Sequence, residues 1–246
     1  MTKRGIGRLL GGILAGLVPL ASAGGAAADP FADRRAAMVE AIRAYADSPG
    51  RAGALPLDPR VLDVMREVPR HHFVPETHRE HAYEDRPLPI GLGQTISQPY
   101  IVALMTSLMQ PQPDQSVLEV GTGSGYQAAV LARLVARVHT IEIVPDLGRQ
   151  AASVLERDYP NVAARIGDGY RGWPEAAPFD AIMVTAAAPY VPQPLVDQLK
   201  PGGRMVVPVG PEFAVQNLMI VHKHADGSVT REDVLRVQFV PLTGER

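Results

Sequence analysis

Val117-Leu118-Glu119-Val120-Gly121-Thr122-Gly123-Ser124-Gly125-Tyr126 is a short apolar run that breaks into three alternating glycines and then opens a helical stretch. The pattern reads as a buried strand feeding a tight turn. Glycine has no Cβ, so such a turn bends sharply and lets a ligand touch main chain at the carboxyl end of a strand. Spacing and charge decide which ligand. Dinucleotide sites use G-x-G-x-x-G and set pyrophosphate against the helix start, whereas here the glycines fall as G-x-G-x-G behind an acid, Glu119. An acid there suits an ammonium group better than a phosphate.

The amino group of S-adenosyl-L-methionine is such a cation, so the expected cofactor is S-adenosylmethionine, held by Glu119, Gly121, Thr122, Gly123 and Gly125. Glu142 closes the next apolar run about twenty residues on, where an acid accepts from both ribose hydroxyls. Asp168, in Ile166-Gly167-Asp168-Gly169-Tyr170, ends the third run and is expected to accept from the adenine amine, with Gly169 beside it. Short β-branched runs at Ser116–Val120, Val138–Ile143, Val162–Ile166, Phe179–Thr185 and Arg204–Val209 alternate with helical stretches, which predicts an α/β fold with a mostly parallel sheet. A helix is expected to end near Lys200, at Pro201-Gly202-Gly203. An antiparallel hairpin is expected from Asn217–Lys223, a turn at Ala225 to Gly227, and Val229–Val240.

Upstream, Met38, Ile42 and Tyr45 recur at helical spacing, and Asp58-Pro59 reads as an N-cap followed by a first-turn proline. Arg86 to Pro99 reads as a Pro- and Gly-rich loop. It leads into a helix with Ile101, Leu104, Met105 and Leu108 on one stripe and Ser97 at the N-cap. Lys3, Arg4 and Arg8 precede an apolar run from Leu9 to Leu20 and then small residues with cleavage positions after Ala23 or Ala28, the layout of a secretory signal peptide. The expected organisation is therefore a signal at 1–28 and one domain at 29–246. That domain divides into a helical cover and substrate loop at 29–113, a cofactor core at 114–210 and a hairpin at 211–246. The expected location is the periplasm or outside the cell, with no stable membrane anchor once the signal is removed.

Removing residues 1–28 takes away three basic and no acidic side chains and moves the formal charge from −2 to −5, which leaves no basic field for nucleic acid. A small molecule or protein substrate fits better. The absence of cysteine excludes disulfides. His71, His72, His78 and His81 lie close together in sequence, but no accompanying acid or cysteine has ligand spacing, and no metal is expected. Trp173 reads as packing.

From about Val68 to Thr243 the chain resembles the protein-L-isoaspartate O-methyltransferase family. The resemblance rests on Leu88-Pro89-Ile90-Gly91, Gln94-Thr95-Ile96-Ser97-Gln98-Pro99, the Glu119 to Gln127 turn, Gly167-Asp168-Gly169, Phe179 to Pro189, Leu199 to Gly210 and Phe239-Val240-Pro241-Leu242-Thr243. The Thr-Ile-Ser-Gln-Pro segment separates this family from other methyltransferases. The resemblance implies a Rossmann-like class I methyltransferase fold with helices on both faces. It also implies transfer of methyl to the α-carboxylate of L-isoaspartyl residues in damaged proteins and peptides, starting repair through a succinimide. By the same resemblance Ser97 is the active-site residue, Gln94, Thr95, Ile96, Ser97 and Thr243 contact cofactor, and Thr95, Ile96, Ser97, Thr185 and Val209 contact substrate. Animal members carry a histidine where Val102 stands. A monomer is expected.

A free α-carboxylate titrates near 3.5 and is already an anion at neutral pH, so the reaction needs no strong base. The site must strip water from it and hold it in line with the methyl. A hydroxyl and helix-start N–H groups suit that task.

Overall fold

In the computed structural model, residues 1–2, 29–48, 55 and 57–245 are described. The expected signal falls, apart from its first two residues, outside them, and the main compact unit runs from Phe31 to Arg246. Its cover begins with α1 (Ala32–Ala46), which buries Met38, Val39 and Ile42. Next comes α2 (Pro59–Glu67), where the Asp58 carboxylate accepts from the Arg60 N–H at 2.9 Å and Pro59 opens the first turn.

The stretch expected as a loop instead holds a small antiparallel hairpin, β1 (Leu88–Gly91) and β2 (Gln94–Ile96). Pro89 hides the strand in the sequence, yet a two-stranded ribbon tolerates a missing N–H along its free edge. Helix α3 (Pro99–Met109) follows. Its N-cap is Gln98 rather than Ser97, and the capping is done from a distance by Asp85. One Asp85 oxygen accepts from the Tyr100 N–H (2.8 Å) and the other from Gln98 Nε2 (2.9 Å). The expected stripe is also too narrow, because α3 lies between α1 and α2 on one side and the sheet on the other and is buried on nearly every face.

The chain then runs β3 (Ser116–Val120), α4 (Tyr126–Ala132), β4 (Arg137–Glu142), α5 (Pro145–Asp158), β5 (Val162–Ile166), β6 (Phe179–Val184), α6 (Gln193–Asp197), β7 (Leu199–Val209), β8 (Gln216–Lys223) and β9 (Val229–Val237). The seven long strands form one sheet in the order β5-β4-β3-β6-β7-β8-β9, parallel through β7 and antiparallel from there on. Alternate residues divide between two cores. Val117, Ala181, Met183 and Val206 pack with α3 and α4, while Leu118, Ile182, Val184 and Val207 pack with Leu195 and Val196 of α6. Both faces are covered, as the run of apolar strands requires. The chain leaves β3 toward β4 and β5, then returns to the other side of β3 at β6. The crevice at that reversal, outside the carboxyl ends of β3 and β6, is where such sheets bind ligands.

Several boundaries differ from expectation. The helix expected to reach Lys200 stops at Asp197, and β7 begins at Leu199. Residues 200–203 bulge out of it, since Leu199 pairs with Phe179 and Arg204 already pairs with Ala181. Strand β9 stops at Val237 rather than Val240, because the Phe239 N–H turns to the buried Gln216 side chain (2.9 Å). The following segment crosses back over the crevice. There Ala187 donates to the Val240 carbonyl and Leu242 donates to the Ala187 carbonyl, both at 2.8 Å.

Candidate active site

The glycine turn sits at the reversal point. Gly121, Gly123 and Gly125 have φ of +96°, +52° and +88°, a region that side chains with a Cβ rarely enter. A Cβ on Gly121 would also stand 2.5 Å from Thr185 Oγ1. The amides of this turn are spent inside the protein. Those of Gly121 and Thr122 donate to the Ile141 carbonyl, that of Gly123 to Glu142 Oε2 (2.7 Å) and that of Gly125 to the Thr122 carbonyl. A phosphate cradle needs such donors free. This turn offers close main-chain approach without an anion hole.

Glu119 is fully buried in the central strand. Its Oε2 accepts from Thr140 Oγ1 at 2.5 Å, and Oε1 has no partner among the described residues. Thr140 has a single hydroxyl hydrogen, so when it is given to an ionised Glu119, Thr122 donates in the 2.6 Å contact between the two threonine oxygens. The relay Thr122 to Thr140 to Glu119 ends on an acid whose pKa burial pushes up to about 8; the Thr140 bond pulls against that rise and the neighbouring Glu142 charge adds to it. A buried acid with an unused oxygen is costly unless a cation completes it. An ammonium group beside Oε1 would complete it. Glu142, also buried, accepts from Gly123 and from the Val144 N–H (2.9 Å), so it braces the turn while facing the same cavity.

That cavity is an open cleft lined by every residue expected to hold cofactor except Gly125 and Asp168. Gly125 lies beneath the turn against Leu155. The Asp168 carboxylate instead accepts from the Tyr170 N–H (2.9 Å) and the Glu245 N–H (2.8 Å), pinning the C-terminal segment, and only the main chain after it, at Gly169, reaches the cavity. Val209 reaches neither this cavity nor its neighbour. It pairs with Asn217 and bridges to Ala188 at the end of β7. Ile141, Ile143, Val144 and Leu242 supply apolar wall suited to a flat heterocycle.

A second open cleft shares Thr95, Ser97, Thr185 and Val240 with the first. Tyr45, Tyr100, Leu235 and Phe239 give it an aromatic and apolar lining. Ser97 thus lies at the junction. Its carbonyl is held at 2.7 Å by Arg70, a fully buried arginine that also donates to the Ala82 carbonyl (2.8 Å) and lies 4.8 Å over the Tyr126 ring. Burial pulls the Arg70 pKa down to about 10, so it stays a cation at neutral pH. Of the helix-start amides, Pro99 has none and Tyr100 is taken by Asp85, which leaves fewer donors for a substrate than the sequence suggests.

Arg70, Asp85 and Thr140 were not singled out from sequence. Thr140 has a signal there, a polar residue inside the apolar run Val138 to Ile141, but Arg70 and Asp85 have none. The histidines take up packing and pairing roles. His71 stacks on Phe31 and meets Tyr83 Oη at 2.7 Å, and His81 pairs with Glu84. Among the described residues no group of three or more His, Asp or Glu side chains is arranged to hold a metal, and no helix is long and apolar enough to cross a membrane.

A mostly parallel seven-stranded sheet, with a glycine turn and a buried acid at its reversal point, defines a class I methyltransferase. Residues 51–246 match the family described as Protein-L-isoaspartate(D-aspartate) O-methyltransferase (PCMT), and the chain belongs to that family. It is 58% identical over 222 residues to protein-L-isoaspartate O-methyltransferase 1 of Cupriavidus necator, covering 89% of this chain and 86% of that one. With protein-L-isoaspartate O-methyltransferase 2 of Syntrophobacter fumaroxidans it shares 56% over 232 residues, 93% and 94% of the two chains. A solved protein-L-isoaspartate O-methyltransferase superposes with a TM-score of 0.74 at 29% identity, covering 85% of this chain and 66% of that one. A structure of a Plasmodium falciparum protein described as a putative member of the family, in complex with S-adenosyl-L-homocysteine, gives 0.70 at 26% identity, with 85% and 98% covered.

Proposed function

We infer that this chain is a protein-L-isoaspartate O-methyltransferase, which methylates the α-carboxylate of L-isoaspartyl residues in damaged proteins and peptides and so starts their repair through a succinimide. The observation that carries the reading is the meeting of the two clefts at Thr95, Ser97, Thr185 and Val240. One cleft suits a cofactor bearing an ammonium group, and the other is open and aromatic enough for a peptide. When bound, S-adenosylmethionine supplies an electrophilic methyl on sulfur.

The chain's own residues have three tasks. Glu119, Thr140 and Thr122 receive the ammonium end, and Glu142 faces the ribose. The Gln94–Ser97 segment, β2 and the residue after it, separates the two clefts, so a carboxylate reaching the methyl passes Ser97 and loses water there. Arg70 fixes the Ser97 peptide plane, so its hydroxyl and the following main chain keep one orientation. Since the carboxylate is already ionised, no side chain has to take a proton. Alignment carries the rate.

The test is methyl transfer from labelled S-adenosylmethionine to paired peptides that differ only in isoaspartyl or aspartyl linkage. Label on the isoaspartyl peptide alone is expected, and Ser97→Ala should lower kcat roughly tenfold or more with cofactor affinity unchanged. Label on neither peptide would make the chain a peptide-binding protein without this activity. We further propose export of the enzyme, supported by the charge and small-residue pattern of residues 1–28. N-terminal sequencing of the protein from the periplasmic fraction would reveal Gly24 or Asp29 as the first residue, and an intact Met1 in the cytosol would refute it.

A further inference from the structure

We infer that Arg236 selects the sequence around the damaged residue, so that the peptide cleft favours isoaspartyl sites with an acidic side chain nearby and disfavours basic neighbours. The inference deepens the function proposed above and rests on it.

Along the peptide cleft the polar residues are uncharged, namely Thr95, Ser97, Gln98, Thr185 and Gln238, and Arg236 is the one formal charge among the described residues that line it. Arg236 is exposed near the end of β9. No ion pair or hydrogen bond engages its side chain among the described residues. Neither Asp233 nor Asp85 pairs with it. Asp233, on the same strand, accepts from the Asn217 amide at 3.2 Å, and Asn217 is the residue paired with Arg236 across β8. Asp85, which supports the cleft wall, spends both oxygens on Gln98 and Tyr100. Arg236 is therefore a cation in a mostly neutral cleft with no internal partner.

The reacting carboxylate does not satisfy it. That carboxylate belongs at the Ser97 junction beside Val240, four positions further along the chain and past the end of β9, and four residues span at most about 13 Å. A peptide lying along this wall would bring a residue about three or four places from the isoaspartyl position to the guanidinium. β9 is the last strand of the sheet, so among the described residues no strand lies along its outer side, where such a peptide would run.

The experiment uses isoaspartyl peptides matched except for Glu, Gln or Lys placed three residues before the isoaspartyl position, and a second set with the change three residues after it. In one of the two sets the wild-type protein is expected to prefer Glu over Lys by about fivefold in kcat/KM, the effect lying in KM and shrinking with added salt. Arg236→Gln should remove the preference and Arg236→Glu should reverse it, with unaltered S-adenosylhomocysteine affinity showing that each variant is folded. Equal rates for Glu and Lys peptides in both sets, or the wild-type order kept in Arg236→Glu, would overturn the inference while leaving the methyltransferase reading intact. Absence of methylation on every isoaspartyl peptide would instead overturn that reading, and the inference with it.

Discussion

Replacing Glu119 with glutamine probes the group on which cofactor recognition turns. In the folded chain burial pushes its pKa up to about 8, against an ordinary value of 4.5. Between those values the folded chain keeps a proton that the unfolded chain has released. Stability therefore falls as pH rises above about 4.5, and the loss levels off above about 8. At pH 7 the gap from the ordinary value, at about 1.4 kcal/mol per pH unit, amounts to about 3 kcal/mol. Glutamine keeps the shape and the Thr140 contact without that cost, so the ligand-free variant should melt several degrees above wild type at pH 7. Binding should move the opposite way. An ammonium group favours the ionised acid, so the cofactor must expel the proton, and affinity should climb about tenfold per pH unit between pH 6 and about 7.5. It should fall again at higher pH, where the ligand's own amino group loses its charge. Titration calorimetry of S-adenosylhomocysteine at pH 6.5, in two buffers of different ionisation heat, counts the protons. Wild type should release close to one and Glu119→Gln none. Wild-type binding that releases no proton, with flat affinity across this range, would refute the assignment of Glu119 to the ammonium group.

Three further outcomes are expected. Arg70→Met strips the Ser97 and Ala82 carbonyls of a buried donor, each omission costing about 1–3 kcal/mol; kcat should drop more than tenfold while cofactor affinity measured by calorimetry changes little, and an unchanged kcat would show that the Ser97 anchor is dispensable. Asp168→Ala frees the Tyr170 and Glu245 amides, so it should cost about 1–2 kcal/mol in denaturant melts and speed proteolysis after Val240; a loss of cofactor affinity with no gain in proteolysis would return Asp168 to a direct contact. Gly121→Ala drives a methyl into Thr185 at a positive φ, and it should lower Tm by several degrees and weaken cofactor binding at least tenfold in the same calorimetric assay.

Much of the core was legible because a single physical rule covers it. Apolar runs of strand length separated by helical stretches leave few alternatives to a parallel sheet, and the positive-φ glycines mark its reversal point. The C-terminal strands were legible from the turn at Ala225 to Gly227. What escaped depends on contacts across long separations. Asp85 takes over the cap that Ser97 was expected to provide, fifteen residues before the amide it satisfies. Gln216 ends β9 by drawing off the Phe239 amide. The Asp168 carboxylate looks identical in sequence whether or not it also accepts from the backbone of Glu245, as it does here. Arg70 is the extreme case, since nothing in Pro69-Arg70-His71 distinguishes a buried cation from a surface one.

The segment from Val240 to Thr243 forms one wall of the cofactor cleft, and Ala187, Tyr170 and Asp168 hold it there through a few hydrogen bonds. Seating of this tail and occupancy of the cleft are therefore two readings of one equilibrium, because a ligand touching the tail stabilises only chains in which it is docked. Protease resistance of the C-terminal segment becomes a gauge of how much cofactor the enzyme has found, a practical readout for an enzyme that the proposed export would part from its cofactor supply.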